Sequence, residues 1–334
     1  MIYNDYMEKI TIIGGSGFVG TNLCRLLTLK QSPFEIIDIK LSKQFPDKCK
    51  IGDVRDIEAL REMITGDVVI NLAAVHRDDV DDLAEYHLTN VYGAGNVAQV
   101  CSEKGIKKII FTSTVAVYGF AEGGAGETAP INPFNEYGRT KSLAEDVFRA
   151  WQSGKDNRLI IIRPTVIFGE GNRGNVFNLL SQIASGKFVM VGSGHNKKSM
   201  AYIGNVVAFL DRCIASDKPY GLYNYVDTPD FSMNELVQHV RHKLTGKNNV
   251  GFRIPYWLGL FVGYIADGVA KIRGRKLPIS AIRVKKFASS TEFTSAKSNL
   301  DNFEAPFSLS EGIERTLQSE FIDPDPDREI FYTE

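Results

Sequence analysis

Across the first half of the chain, short runs of β-branched and aliphatic residues alternate with longer segments whose apolar positions recur every three or four residues. The short runs, residues 10–13, 35–39, 67–72, 107–112 and 158–163, predict strands; the longer ones, 19–30, 57–64, 82–104 and 137–152, predict helices packed on a sheet. Strand and helix in strict alternation is the pattern of repeated βαβ units, so the fold class is α/β with a doubly wound parallel sheet. Beyond Arg163 the alternation loosens. Glycine and asparagine cluster at 169–175 and 192–196 around a helical pattern at 176–185. A strand at 221–226 and helices at 233–244, 256–272 and 310–321 follow. The expected organisation is a larger domain over 1–166, to which 201–227 adds a helix and a strand, and a smaller lobe made of 167–200 and 228–334, interleaved in sequence.

At 334 residues the chain exceeds the usual single core, which suits two lobes around a cleft. A net charge of −1 supplies no field to gather nucleic acid, so no nucleic-acid partner is expected. Cys24, Cys49, Cys101 and Cys213 show no CxxC spacing and no ligand cluster. They fit buried thiols in a reducing cytoplasm, and no metal is expected. Residues 1–9 lack the basic start and apolar core of an export signal. The most apolar stretch, 254–270, is short of the roughly 20 residues that span a bilayer and carries Asp267. The expected location is the cytoplasm.

The first strand runs into Gly14-Gly15-Ser16-Gly17-Phe18-Val19-Gly20, a GxxGxxG turn opening a helix. Glycines there let the backbone approach a pyrophosphate, whose charge is favoured by the free amides and dipole at a helix start. Asp38, at the end of the second strand, can accept both hydroxyls of an adenosine ribose and repels a 2′-phosphate, which points to NAD before NADP. Tyr137 and Lys141 are four residues apart on one helical face, where the ammonium is expected to lower the phenol from about 10 toward the range of a general base. The preceding strand ends in Thr112-Ser113-Thr114, bringing hydroxyls to the sheet edge where ligands of open α/β folds bind. Together these groups suit hydride transfer from a carbinol carbon to a nicotinamide, with Thr114 holding the oxygen that Tyr137 deprotonates.

On these motifs the sequence resembles the extended short-chain dehydrogenase/reductases, in the nucleotide-sugar epimerase/dehydratase branch typified by UDP-galactose 4-epimerase. The resemblance implies a Rossmann-type domain with a substrate lobe. It assigns Gly14, Gly17 and Gly20, with Ser16, Phe18 and Val19, to the cofactor turn, and Asp38 to ribose. Asp53, beside Val54, would hold adenine. Leu72, Ala73 and Ala74 would line the cofactor, with Asn90, Thr112 and Pro164 completing its site. Thr114, Tyr137 and Lys141 stand at the catalytic positions, and Glu127, Pro130 and Pro133 keep the family's spacing before the tyrosine. Asn175 and Gln182 lie on the helix facing the substrate diphosphate. Helices 82–104 and 137–152 match the family's four-helix dimer interface, which implies a homodimer.

Two departures from the family pattern matter. Lys198, in Lys198-Ser199-Met200-Ala201-Tyr202, replaces the usual arginine string, so a phosphate would meet a point charge without a two-pronged donor. Val115 and Ala116 stand where 4,6-dehydratases carry an Asp-Glu pair; aliphatic groups move no protons, which disfavours dehydration. The readings left are a UDP-sugar 4-epimerase passing through a 4-keto intermediate, a 4-reductase of a 4-keto-6-deoxy nucleotide sugar, a steroid-type dehydrogenase, and an NAD-binding regulator without activity. His76 and Arg77 follow the fourth strand and are candidates for contact with the sugar or its phosphates. The apolar segment 254–272, followed by Lys271, Arg273, Arg275, Lys276, Arg283, Lys285 and Lys286, reads as a helix buried in the substrate lobe; the alternative is contact of 254–286 with an anionic membrane surface.

Overall fold

The protein was analysed as a computed structural model that describes residues 8–76, 82–120, 123–154, 156–273 and 280–333. Arg77, Arg275 and Lys276 lie outside the described residues. In chain order the strands are β1 Ile10–Ile13, β2 Phe34–Asp38, β3 Cys49–Ile51, β4 Val68–Asn71, β5 Lys108–Thr112, β6 Arg158–Pro164, β7 Val166–Phe168, β8 Val189–Val191, β9 Met200–Tyr202, β10 Tyr220–Tyr225 and β11 Phe252–Ile254. The helices are α1 Phe18–Leu29, α2 Ile57–Met63, α3 Ala84–Tyr86, α4 Gly93–Glu103, α5 Glu136–Gln152, α6 Asn175–Ala184, α7 Ile203–Ala215, α8 Met233–Thr245, α9 Tyr256–Arg273, α10 Ala281–Ala288 and α11 Leu309–Leu317.

Seven parallel strands form the central sheet in the order β10-β6-β5-β4-β1-β2-β3. The chain reverses its winding between β1 and β4, the switch point outside whose carboxyl ends ligands of such sheets bind. Register carries the site residues there: Ile13 pairs with Ile37 of β2 and with Asn71 of β4, so the segments that continue from β1, β2 and β4 leave the sheet side by side. Strands buried on both faces are near-continuous aliphatic runs, as β1 and β4 are, each buried throughout. One apolar core joins α1 and α7 to the sheet and continues into the lobe through Phe168, Leu180, Met190 and Ile313. A second lies under α2, α4 and α5, with Leu60, Val97 and Phe148 fully buried.

Two elements depart from the periodicity. The helix expected over 82–104 is α3 and α4 joined by a stretch of π-helix, His87–Tyr92. A π turn adds a residue per turn and rotates the side chains that follow it, and it carries Asn90 into the protein, 3% exposed. The helix expected to be buried in the lobe, α9, instead leaves Trp257, Phe261, Tyr264 and Ile265 more than half exposed. Its packed side is small residues, Gly259 against Val191 and Gly263 against Ala281, which let neighbours approach closely but cover little of the helix. No helix among the described residues is long and apolar enough to cross a membrane.

Candidate active site

A cleft of about 850 Å³ opens along the carboxyl edge of the sheet, lined on from there by Asn172, Asn175, Ser199, Thr291, Phe293 and Thr333. Gly14, Gly17, Phe18, Val19 and Gly20 form one end of it. The turn is tight because α1 starts against it: a Cβ on Gly20 would lie 2.5 Å from the Cα of Gly15. Asp38 lines the cleft at the end of β2. Its carboxylate accepts the Ser16 amide at 3.0 Å and the Lys40 amide at 3.1 Å, and burial raises its pKa despite those bonds. Asp53 and Val54 follow β3 on the same wall. Asp53 is clasped by the Arg55 guanidinium at 2.6 Å, which holds its carboxyl below the usual range. Leu72, Ala73, Ala74 and His76 form the floor after β4, with Thr112 and Pro164 from β5 and β6.

At the centre stand Thr114, Tyr137 and Lys141, all at the cleft wall. Thr114 caps a short 3₁₀ turn, Val115–Tyr118, its hydroxyl accepting the Ala116 amide at 3.1 Å. Helix α5 is capped by Asn135, which accepts the Gly138 amide at 2.9 Å. It starts so close to the 3₁₀ turn that a Cβ on Gly138 would sit 2.5 Å from the Ala116 carbonyl oxygen. This contact fixes the start of α5 beside the 3₁₀ turn, and Tyr137 and Thr114 both line the cleft. Burial pushes the phenol up to about 12, with the Thr114 bond opposing it. Burial also drives the Lys141 ammonium down to about 7, with Glu145 pulling it back up; the ammonium lies 4.1 Å from the centre of the Phe111 ring.

The phenol was expected below its ordinary value; in the ligand-free protein it stands above it, with burial the largest cause.

Behind the triplet lies a buried network that the sequence reading missed. Glu145, one helical turn beyond Lys141, accepts Ser113 Oγ at 2.5 Å, and Arg163 Nε and Nη2 at 2.8 and 2.5 Å. Arg163 Nη1 donates to the Tyr118 hydroxyl at 2.6 Å, which donates to Asn224 at 2.8 Å. Glu127 accepts the amides of Asn224 and Ala296 at 2.9 and 2.7 Å, clasping the lobe to the sheet. The four-residue spacing of Lys141 and Glu145 was a visible signal; the partner across the sheet was not.

Four expected site residues, Ser16, Asn90, Lys198 and Gln182, are not at the cleft wall. Ser16 spends its hydroxyl on the Lys40 carbonyl, 2.8 Å. Asn90 binds both the amide and the carbonyl of Val75, at 2.9 and 3.0 Å, and donates to Thr140 at 3.0 Å, so it braces the floor loop against α5. Lys198 donates to the Lys286 and Ser289 carbonyls at 2.7 and 2.5 Å, and burial lowers it to about 8. It neutralises the unpaired carbonyls that end α10, where a helix dipole favours a cation. Of the remaining substrate candidates, Asn175 opens α6 at the cleft, while Gln182 lies exposed farther along that helix.

The wall also fits a dinucleotide. The Thr112 hydroxyl is buried without a hydrogen-bond partner and belongs to the cleft lining, as a group reserved for a ligand would be.

Residues 10–225 match the NAD dependent epimerase/dehydratase family. Over 98% of this chain and 99% of its own length, the N-acetyl-alpha-D-glucosaminyl-diphospho-ditrans,octacis-undecaprenol 4-epimerase of Escherichia coli O157:H7 is 46% identical. A decarboxylating sterol-4-alpha-carboxylate 3-dehydrogenase of Saccharomyces cerevisiae is 28% identical over 93% of this chain and 97% of its own. Among solved structures, the Bordetella bronchiseptica enzyme WbmG in complex with NAD and UDP superposes with a TM-score of 0.75 over the whole of both chains, at 18% identity. With the cleft geometry and these similarities together, the chain is an NAD-using enzyme and belongs to the NAD dependent epimerase/dehydratase family.

Proposed function

We propose that the protein is a 4-epimerase of an N-acetylhexosamine carried on a polyprenyl diphosphate, working through a 4-keto sugar. The observation that carries this reading is the 46% identity, end to end, with an enzyme named for that reaction on a diphospho-undecaprenol. The carrier takes the place of the nucleotide expected from the family pattern. Lys198, spent on the end of α10, is assigned to the substrate diphosphate in neither carrier.

In this reading the Gly14–Gly20 turn holds the cofactor's pyrophosphate, Asp38 its adenosine ribose and Asp53 its adenine. NAD, when bound, supplies the hydride acceptor and returns the same hydride, and its cationic ring adds the charge that favours a phenolate. Tyr137 takes the proton of the C4 hydroxyl and returns it at the end, so no net proton is consumed. Thr114 holds that oxygen, and Lys141 steadies the phenolate. Val115 and Ala116, both at the cleft wall, offer no group to move a proton at C5 or C6, which favours a reaction confined to one carbon. The α4 and α5 faces are taken as the homodimer surface.

The test uses purified protein with GlcNAc-diphospho-undecaprenol and, separately, UDP-GlcNAc, without added reductant, followed by release of the sugar and chromatography. The expected result is GalNAc from the lipid-linked substrate, no net NADH, and a loss of at least a thousandfold in Tyr137→Phe. Conversion of UDP-GlcNAc alone rejects the carrier. Accumulation of NADH without an epimer makes the protein a dehydrogenase.

A further inference from the structure

Helix α9 has two opposite sides. At 3.6 residues per turn, Gly259, Gly263, Ala266 and Ala270 form one stripe, and Trp257, Phe261, Tyr264 and Ile265 form the other. The small-residue stripe faces the protein: Gly259 meets β8, and Gly263 lies so close to α10 that a Cβ there would be 2.7 Å from the Ala281 Cα. The opposite stripe faces outward, with Trp257 67%, Phe261 58%, Tyr264 55% and Ile265 52% exposed; Ile282 of α10 adds a fifth large apolar side chain at 53%. Contiguous apolar surface of this kind marks a place where something docks.

Charge selects the occupant. Among the described residues of α9 and of 280–291, Lys271, Arg273, Arg283, Lys285 and Lys286 stand against a single acid, Asp267, in a chain whose net charge is −1. Asp267 is itself engaged, accepting the Ala281 amide at 3.1 Å. Two copies of the chain meeting through this face would bring like charges together, which argues against self-association. Aromatic and aliphatic side chains projecting between lysines and arginines match the boundary between acyl chains and anionic headgroups.

The face also adjoins the substrate end of the cleft. Helix α10 ends where Lys198 holds its carbonyls, and the chain continues directly to Thr291 and Phe293 of the cleft wall. The Lys286 ammonium lies 5.0 Å from the centre of the Phe134 ring, another wall residue.

We propose that α9 and α10 are a docking face for an anionic lipid bilayer, seating the mouth of the cleft at the membrane surface. The use of that docking rests on the polyprenyl-diphosphate reading: a sugar whose carrier stays in the bilayer is reached without extracting the carrier. The docking itself is measurable with no sugar present, which keeps the two readings separable.

The chain has two tryptophans, Trp151, 5% exposed in the core, and Trp257 on the docking face, so emission reports on the face directly. Purified full-length protein is mixed with vesicles of phosphatidylcholine alone or with a quarter phosphatidylglycerol, lacking any sugar lipid, and followed by emission and by sedimentation. The expected result is a blue shift and cosedimentation with the anionic vesicles, weakened by salt. In Phe261→Glu/Ile265→Glu the vesicle partition coefficient falls more than tenfold, with an unchanged melting temperature, because both side chains are exposed. That variant keeps its turnover of GlcNAc diphosphate on a short, water-soluble prenyl chain and loses turnover of the undecaprenyl substrate in vesicles. No binding to anionic vesicles at low salt overturns the proposal, as does undiminished binding by the variant. A blue shift that grows with protein concentration in the absence of vesicles overturns it in favour of a second copy. Vesicle binding without epimerisation of either carrier leaves the docking standing and rejects the proposed function.

Discussion

Replacing Glu145 by glutamine tests the network behind the candidate catalytic triplet. The Glu145 side chain has no exposed surface, and Arg163, its partner at 2.5 Å, is 2% exposed. Burial by itself pushes the Glu145 carboxyl up, but the Arg163 bonds and charge, the Ser113 bond and the Arg149 charge together leave it below the ordinary value. In Glu145→Gln an amide NH₂ faces the guanidinium, and Arg163 becomes a buried cation without its anion. Removing one partner of a buried pair costs about 3–5 kcal/mol, which at this chain length lowers the melting temperature by roughly 4–7 °C at pH 7.

The pH dependence has a definite sign. A carboxylate whose folded pKa is depressed contributes stability above its unfolded pKa of about 4.3, and that contribution is lost as pH falls through the folded value. The gap between wild type and variant is therefore full at pH 7 and closes in acid. Calorimetry from pH 3 to 8 measures it, and Arg163→Met added to Glu145→Gln recovers part of the loss because the stranded cation is gone. Because Glu145 also draws the Lys141 pKa upward, the variant's activity falls off at lower pH than that of the wild type. A melting temperature at pH 7 within 2 °C of wild type, on the order of 1 kcal/mol or less, refutes the reasoning.

Gly20→Ala forces a Cβ to 2.5 Å from the Gly15 Cα and pushes α1 away from the turn, so calorimetric titration should give NAD binding weakened more than tenfold. Lys198→Met strips two carbonyls at the end of α10 of their donor; the melting temperature should drop by a few degrees, for about 1–2 kcal/mol, while KM stays within about twofold. A large rise in KM with no loss of stability would return Lys198 to the diphosphate. Burial drives the Cys24 and Cys101 thiols up to about 12 and Cys213 higher still, whereas Cys49 is half-buried. Titration with a disulfide reagent should therefore count one reactive thiol in the native protein and four in guanidinium.

Much of the site was legible because its parts are local in sequence. The GxxGxxG turn, Asp38 at a strand end and the four-residue spacing of Tyr137 and Lys141 are written within single βα units. Once parallel pairing aligns β1, β2 and β4, those units deliver their residues to one edge. The alternation of strand and helix likewise determined the doubly wound sheet, since each unit can bury its apolar face only against the next.

What the sequence left open depends on contacts between distant segments. Asn90 has the same identity whether it touches a ligand or braces a loop; the π turn and the position of Val75 decided for the brace. Lys198 is a free cation in the sequence and a cap in the structure, because α10, some 90 residues later, ends beside it. Glu145 and Arg163 carry no shared motif, and only pairing of β5 with β6 under α5 joins them. The apolar pattern of α9 declares a helix that avoids water, but burial is a property of neighbours. The tertiary structure packed α9 most closely through Gly259 and Gly263 and left its aromatic side to face outward.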